Sequence, residues 1–362
     1  MGAITRGIAN NILGNGAVDG TDALTGTIPA TNIGNPSLAN LTTFPPSVDA
    51  GIPQVAGDPP SPSDGDVWYN TNTYKLKVRG VSAPTGSWAT GGTMNQARYY
   101  VGNAGTQTAA LAIGGEGPPY YAVTESYNGS AWTEVNDLNT AVAASGSSGT
   151  QTSALNYGGD ISPHTGQTES WNGTSWTEVN DLNTARRLLD GAGTDNTNAL
   201  AFGGYTGSNL ANTETWNGTS WTEVNDLNVA KRNFRSMGAS NTSALCIGGF
   251  STANVANTES WNGTSWTEVN DLNVATVNGG AAGTNSGGIN FGGVPPKVQT
   301  EYWNGTSWTE IGDLSTGRDN RPGGAGSSTA GLAFGGSDPS PSPSSATEEF
   351  NGGAGNLNVD LA

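Results

Sequence analysis

A Gly-Gly pair begins at residues 114, 158, 203, 248, 292 and 335, so successive pairs are 44, 45, 45, 44 and 43 residues apart. A fixed period of this length makes each repeat a supersecondary unit that cannot bury its apolar faces alone and has to stack on its neighbours. The pairs, among them Gly114 and Gly115, Gly158 and Gly159, Gly203 and Gly204, and Gly248 and Gly249, each end a short apolar run such as Leu111-Ala-Ile113 or Leu200-Ala-Phe202. Such a run, stopped by glycine, reads as a strand buried on both faces. Later in each repeat an aromatic residue precedes Asn-Gly (Tyr127, Trp171, Trp216, Trp261, Trp303 and Phe350). In the first five repeats a tryptophan follows it: Trp132, Trp176, Trp221, Trp266 and Trp308. Asn-Gly between aromatic and β-branched residues predicts a tight hairpin. With the Gly- and Ala-rich segment after each Asp-Leu-Asn, the spacing predicts four strands per repeat.

The sixth repeat stops after Phe350-Asn-Gly without a second tryptophan, whereas Trp88 stands alone 44 residues before Trp132. Trp88 therefore marks a displaced fourth strand that completes the last repeat. The fold class expected is all-β: a six-bladed β-propeller over residues 85–352, closed by an N-terminal strand. A β-sandwich is the structural alternative, but it leaves the fixed period unexplained.

The Gly-Gly pair after the second strand, the aromatic in the third and the tryptophan in the fourth resemble the kelch repeat family of β-propellers, in six registers. Ahead of them, residues 1–65 carry no tryptophan and contain Pro45-Pro46 and Pro59-Pro60-Ser-Pro62, the composition of an extended connector. Residues 66–84 read as a small hairpin, turning at Asn70 to Thr73, and residues 353–362 as a C-terminal tail. Thr27-Ile-Pro-Ala-Thr-Asn-Ile33 and Gly65-Asp-Val-Trp-Tyr-Asn70 resemble stretches of tailed-phage fibre proteins. That resemblance implies a virion protein with an arm anchored on other virion proteins and a displayed head that binds a host-surface glycan or receptor. An arm that cannot bury enough surface alone orders on a partner or by association of like chains, so a homotrimer is also expected.

Composition narrows the function. A net charge of −17 opposes broad affinity for nucleic acid or anionic membrane, and no apolar run is long enough to span a bilayer or form a signal-peptide core. One histidine, His164, cannot supply the ligands of a copper-radical oxidase of kelch type; a sialidase blade motif is absent, and no cofactor is expected. Cys246 lies in an apolar run and reads as an inert core thiol. Val18-Asp-Gly-Thr-Asp22 lacks calcium-loop spacing and reads as a turn. The sequons at Asn128, Asn172, Asn217, Asn262 and Asn304 fall on the hairpins and read as turn chemistry. Acids recur at Glu134, Glu178, Glu223, Glu268 and Glu310, whereas a catalytic carboxylate pair is singular; periodicity favours a solvated rim over an enzyme. A second periodic set, Glu125, Glu169, Glu214, Glu259, Glu301 and Glu348, is expected near a blade edge where water reaches it.

Variation between repeats locates a recognition face. The connections between fourth and first strands and between second and third strands vary, and all the propeller's bases fall in or beside them. Arg98, Arg186, Lys231 and Arg318 occupy one aligned position, where they either fix a junction, line a channel or bind. Arg187, Arg232, Arg235 and Arg321 break the repeat and, with Tyr99, Tyr100, Tyr120, Tyr121 and Phe234, are the expected ligand-binding residues, since guanidinium and aromatic groups suit sugars and anions. The expected role is a phage tail fibre or spike. The alternatives are a capsid decoration or head-fibre protein and a polysaccharide-degrading enzyme.

Overall fold

A computed structural model of the chain describes residues 53–59, 67–81, 85–340, 342–353 and 356–361. Most of the expected arm, including the Val18–Asp22 turn, lies outside the described residues. The chain divides into two units, one of residues up to 82 together with 355–362, the other of residues 83–354. Every regular element among the described residues is a strand.

In the first unit the expected hairpin is present, Val67–Asn70 pairing antiparallel with Lys75–Val81. It belongs to a four-stranded sheet: Gln54–Val55 adds in parallel on one side and Asn356–Leu361 antiparallel on the other. The C-terminal residues read as a tail are thus a sheet strand; six residues with a single alternation carry too little pattern to be told from a tail. Asp58 organises the hairpin, accepting hydrogen bonds from Trp68 Nε1 (3.2 Å), Asn70 Nδ2 (2.7 Å) and Lys77 Nζ (2.8 Å). The bonds from Lys77 and Asn70 hold its carboxyl down at about 2. A folded-state value below the unfolded one of about 3.9 means that these bonds stabilise the unit above about pH 4 and are lost as pH falls towards 2. The Trp68 indole N–H resonance is expected to shift over that window in the native protein and to show no such titration in Asp58→Asn.

The second unit contains six four-stranded antiparallel sheets, an architecture consistent with a β-propeller. The first sheet is Gly102–Thr106, Ala109–Ile113, Thr124–Tyr127 and Trp132–Glu134, and the next four repeat it in chain order. In the sixth, Gly323–Gly326, Ala330–Phe334 and Thr347–Gly353 are joined by Thr85–Thr90, with Trp88 opposite Phe350 as Trp132 is opposite Tyr127. The first strands neighbour one another in chain order, and Gly323–Gly326 also lies against Gly102–Thr106.

The repeated residues make the contacts between sheets. Each Gly-Gly pair has positive φ at both positions, 54° to 70° at the first and 79° to 118° at the second, a conformation glycine adopts without steric penalty. This turn aims the second glycine's N–H at a carbonyl of the linker that enters the next sheet: Gly115 at Val142, Gly159 at Arg186, Gly204 at Lys231, Gly249 at Thr276, Gly293 at Arg318 and Gly336 at Arg98. The fourth-strand tryptophans pack against the preceding sheet, as Trp266 does on Phe202 at 4.7 Å and Trp132 on Phe334 at 4.9 Å. Their indoles donate to buried threonine hydroxyls there: Trp132 to Thr347, Trp176 to Thr124, Trp221 to Thr168, Trp266 to Thr213 and Trp88 to Thr300. At the sixth such place Trp308 Nε1 and Thr258 Oγ1 are both buried without a partner. The hairpin asparagines fulfil the turn reading; Asn172 Oδ1, for example, accepts the N–H of Thr174 and of Ser175.

A second belt of backbone bonds joins the linkers that enter the six sheets. Ala144 N–H donates to Tyr100 O, Leu188 to Ala144, Asn233 to Leu188, Asn278 to Asn233, Arg321 to Asn278, and Tyr100 to Asn320. All of these residues have positive φ, between 53° and 59°. The non-glycine strain at these positions, of order 1 kcal/mol each, is offset by these bonds from linker to linker.

Candidate functional site

The periodic glutamates are not at a wet edge. Glu125, Glu169, Glu214, Glu259, Glu301 and Glu348 are all buried, gripped by the linker entering their own sheet. Asn183 shows the pattern: its backbone N–H and Nδ2 donate to Glu214 Oε2 at 2.7 and 2.8 Å. Asn95, Asn139, Asn228 and Asn273 repeat both bonds, and Ser315 the backbone one. Three residues after the corner stands the aligned cation. Arg98–Glu125 (3.1 Å), Arg186–Glu214 (2.8 Å), Lys231–Glu259 (3.3 Å) and Arg318–Glu348 (3.1 Å) are buried ion pairs. The aligned bases therefore fix junctions and are unavailable to a ligand. In the second and fifth sheets the cation is replaced by Val142 and Thr276, and beside Glu169 a cavity of about 10 Å³ remains.

The four bases that break the repeat separate into two groups. Arg235 and Arg321, expected on the ligand-binding face, are buried, as is Phe234, whose ring stacks on Phe202 at 5.4 Å. Arg187 and Arg232 remain partly exposed. The Arg232 guanidinium lies between the rings of Tyr205 and Phe250, 4.5 and 4.7 Å from their centroids, and donates to Asn209 Oδ1 at 2.7 Å. Arg187 approaches the same Tyr205 ring at 5.7 Å and pairs with Asp160, its side chain 38% exposed. Hydrogen bonds from Asn209 Nδ2 to Phe250 O and Ser251 O bind the two loops together.

The arrangement extends over neighbouring loops. Burial and the Asp160 charge raise the Glu116 carboxyl above its usual range, with Arg187 opposing, and raise the Tyr120 phenol as well. Tyr99 bridges to Glu116 through the backbone and meets Tyr100 edge to face at 5.6 Å, while Tyr121 Oη accepts from Gln96 Nε2 at 3.0 Å. Of the residues expected at the site, Arg187, Arg232, Tyr99, Tyr100, Tyr120 and Tyr121 are all half-buried in these loops. Tyr205, Phe250, Asp160, Glu116 and Asn209 join them. Tyr205 and Phe250 each stand directly after a glycine pair, Gly203-Gly204 and Gly248-Gly249, and that equal placement in successive repeats is the signal the sequence offers for them. The result is an arc of cation, carboxylate and aromatic faces able to stack on a sugar ring and hydrogen-bond its hydroxyls. Among the described residues no three His, Cys, Asp or Glu side chains converge to hold a metal. Neither a protein-family model nor a curated protein matches the chain.

Proposed function

We propose that this chain is a phage virion fibre or spike whose six-bladed, kelch-like propeller, closed by Thr85–Thr90, binds a host-surface glycan or receptor through the Arg187–Tyr205–Arg232–Phe250 arc. The observation that carries the reading is the Arg232 guanidinium held between two aromatic rings in loops that differ from repeat to repeat. Closure is supported by the pairing of Thr85–Thr90 with Thr347–Gly353 and by the two belts of bonds that return to the first sheet. On a chain of net charge −17 the Arg187 and Arg232 guanidinium groups are local cations beside aromatic faces, able to meet a sugar's hydroxyl or acidic groups. Binding by stacking and forked hydrogen bonds needs no catalytic group.

The test is retention of the purified full chain on immobilised host polysaccharide. Retention without cleavage is expected, and Arg187→Ala with Arg232→Ala is expected to weaken it at least about tenfold, since buried or stacked guanidinium contacts are worth about 1–2 kcal/mol or more. Shortened chains would instead establish the degrading enzyme. No retention, or retention unaffected by the two substitutions, would overturn the proposed site and leave the decoration role as the better reading.

A further inference from the structure

At the start of the first strand, the register opposite the last residue of the second strand's apolar run is shared by all six sheets. It holds Gly102, Gly146, Gly280 and Gly323 in four of them, and Asp190 and Arg235 in the other two. Arg321, from the linker entering the sixth sheet, joins this pair. Arg235 Nη1 lies 3.4 Å and Arg321 Nη2 3.9 Å from Asp190 Oδ2, with side-chain exposures of 5%, 2% and 9% for Arg235, Arg321 and Asp190. Arg235 uses its other donors on the carbonyls of Gly279 and Pro322, and Arg321 Nη2 donates to Leu189 O at 2.7 Å. Arg321 Nη1, equally buried, has no partner.

Two guanidinium groups therefore share one carboxylate away from water. Arginine does not escape by losing its proton, so an excess positive charge stays in a place where an uncompensated ion is strongly unfavourable. Burial presses on both groups, and the Arg321 charge adds to the pressure on Arg235. Tyr100, the remaining titratable group acting on Arg321, offers no relief, because burial raises its phenol and keeps it neutral. From the next residue of the same strands onward the axis opens into a cavity of about 90 Å³ whose walls include Asn103, Ser147, Ser148 and Ser236. These hydroxyl and amide walls give a small ion a polar route towards the cluster.

We propose that a small monovalent anion of halide size occupies the axis beside Arg321 Nη1 as the counter-charge that the Asp190–Arg235–Arg321 cluster lacks. The site is separate from the loop arc and stands whether or not that arc binds a glycan. The ion is a structural ligand: it binds the folded chain alone and so stabilises it by mass action.

The decisive measurement is anomalous diffraction from crystals of the full chain grown or soaked in bromide. A bromide peak within hydrogen-bond distance of Arg321 Nη1 is expected, and its absence overturns the proposal. In solution, dialysed protein is expected to melt several degrees higher in chloride or bromide than in methanesulfonate at equal ionic strength. Arg321→Met, which keeps the volume and removes the donors, is expected to abolish that difference. A halide shift that persists undiminished in a folded Arg321→Met protein overturns the assignment. If that variant does not fold, the bromide map decides alone.

Discussion

Replacing Arg186 by methionine is expected to destabilise the second unit by about 3–5 kcal/mol, because it strands the Glu214 carboxylate in a dry junction. The magnitude follows from burial: neither side chain of the pair is more than 2% exposed. Glu214 would keep the Asn183 donors and lose the cation, while the carbonyl of Ala201 would lose an Nη2 donor at 3.4 Å. The double substitution Arg186→Met, Glu214→Leu is expected to recover most of the loss, since an ion pair replaced as a whole by apolar groups of similar volume is often near neutral. Denaturant midpoints for the two single variants and the double close the cycle. A double variant no better than the worse single would show that the pair does more than neutralise itself. The second sheet supplies the natural comparison: Glu169 receives from Asn139 and Thr140 the same three N–H donors that Asn183 and Thr184 give Glu214, and stands without an aligned cation, Val142 taking that place beside a cavity of about 10 Å³.

The second large effect is expected at Trp88. Its ring packs on Phe291 at 5.0 Å and Phe350 at 5.3 Å, and its indole donates to Thr300 Oγ1 at 3.0 Å. Trp88→Ala is expected to cost about 3–5 kcal/mol from lost burial and cavity formation. Trp132→Ala, the same lesion in a sheet of contiguous strands, is expected to cost a similar amount. The two should differ in what fails first. Release of Thr85–Thr90 bares Thr347–Gly353 as a sheet edge, so Trp88→Ala should aggregate and be nicked by protease near residue 90 well below its unfolding midpoint. Identical protease patterns for the two variants would count against the strand as a closing element.

The repeat architecture was legible in the sequence because its signals are short-range and recur. Gly-Gly turns, Asn-Gly hairpins and the apolar runs each report a local conformation, and six copies leave little room for a wrong register. The orphan Trp88 was readable for the same reason. What could not be read were partnerships across sheets. Glu214 sits in a strand whose alternation marks only which side it faces, and whether that side is wet depends on Asn183 and Arg186, about thirty residues upstream in the chain. A signal exists, in that a glutamate recurs at a fixed place in six repeats and a base at a fixed place in four, yet periodicity alone does not tell a wet ring of charge from a dry one. Arg235 and Arg321 misled more deeply. They depart from the repeat, and in a sequence such a departure reads as display. In the structure the departure fills space that glycines leave at the axis, and the oppositely charged Asp190 in the same register was the clue.

The near-identity of the repeats creates a hazard of its own. Trp171-Asn-Gly-Thr-Ser-Trp-Thr-Glu-Val recurs unchanged at Trp216 and Trp261, so during folding one repeat can dock in its neighbour's place with nearly native local contacts. Tandem arrays of like units are prone to such swaps, and nothing in the shared residues distinguishes a correct order from a permuted one. The axial charges do distinguish it. Asp190, Arg235 and Arg321 come from the third, fourth and sixth repeats and meet at one carboxylate, so an order of repeats that parts them leaves buried charges without a partner. The cluster thus serves as an indexing mark, adding to the cost of misordered assemblies of otherwise interchangeable parts.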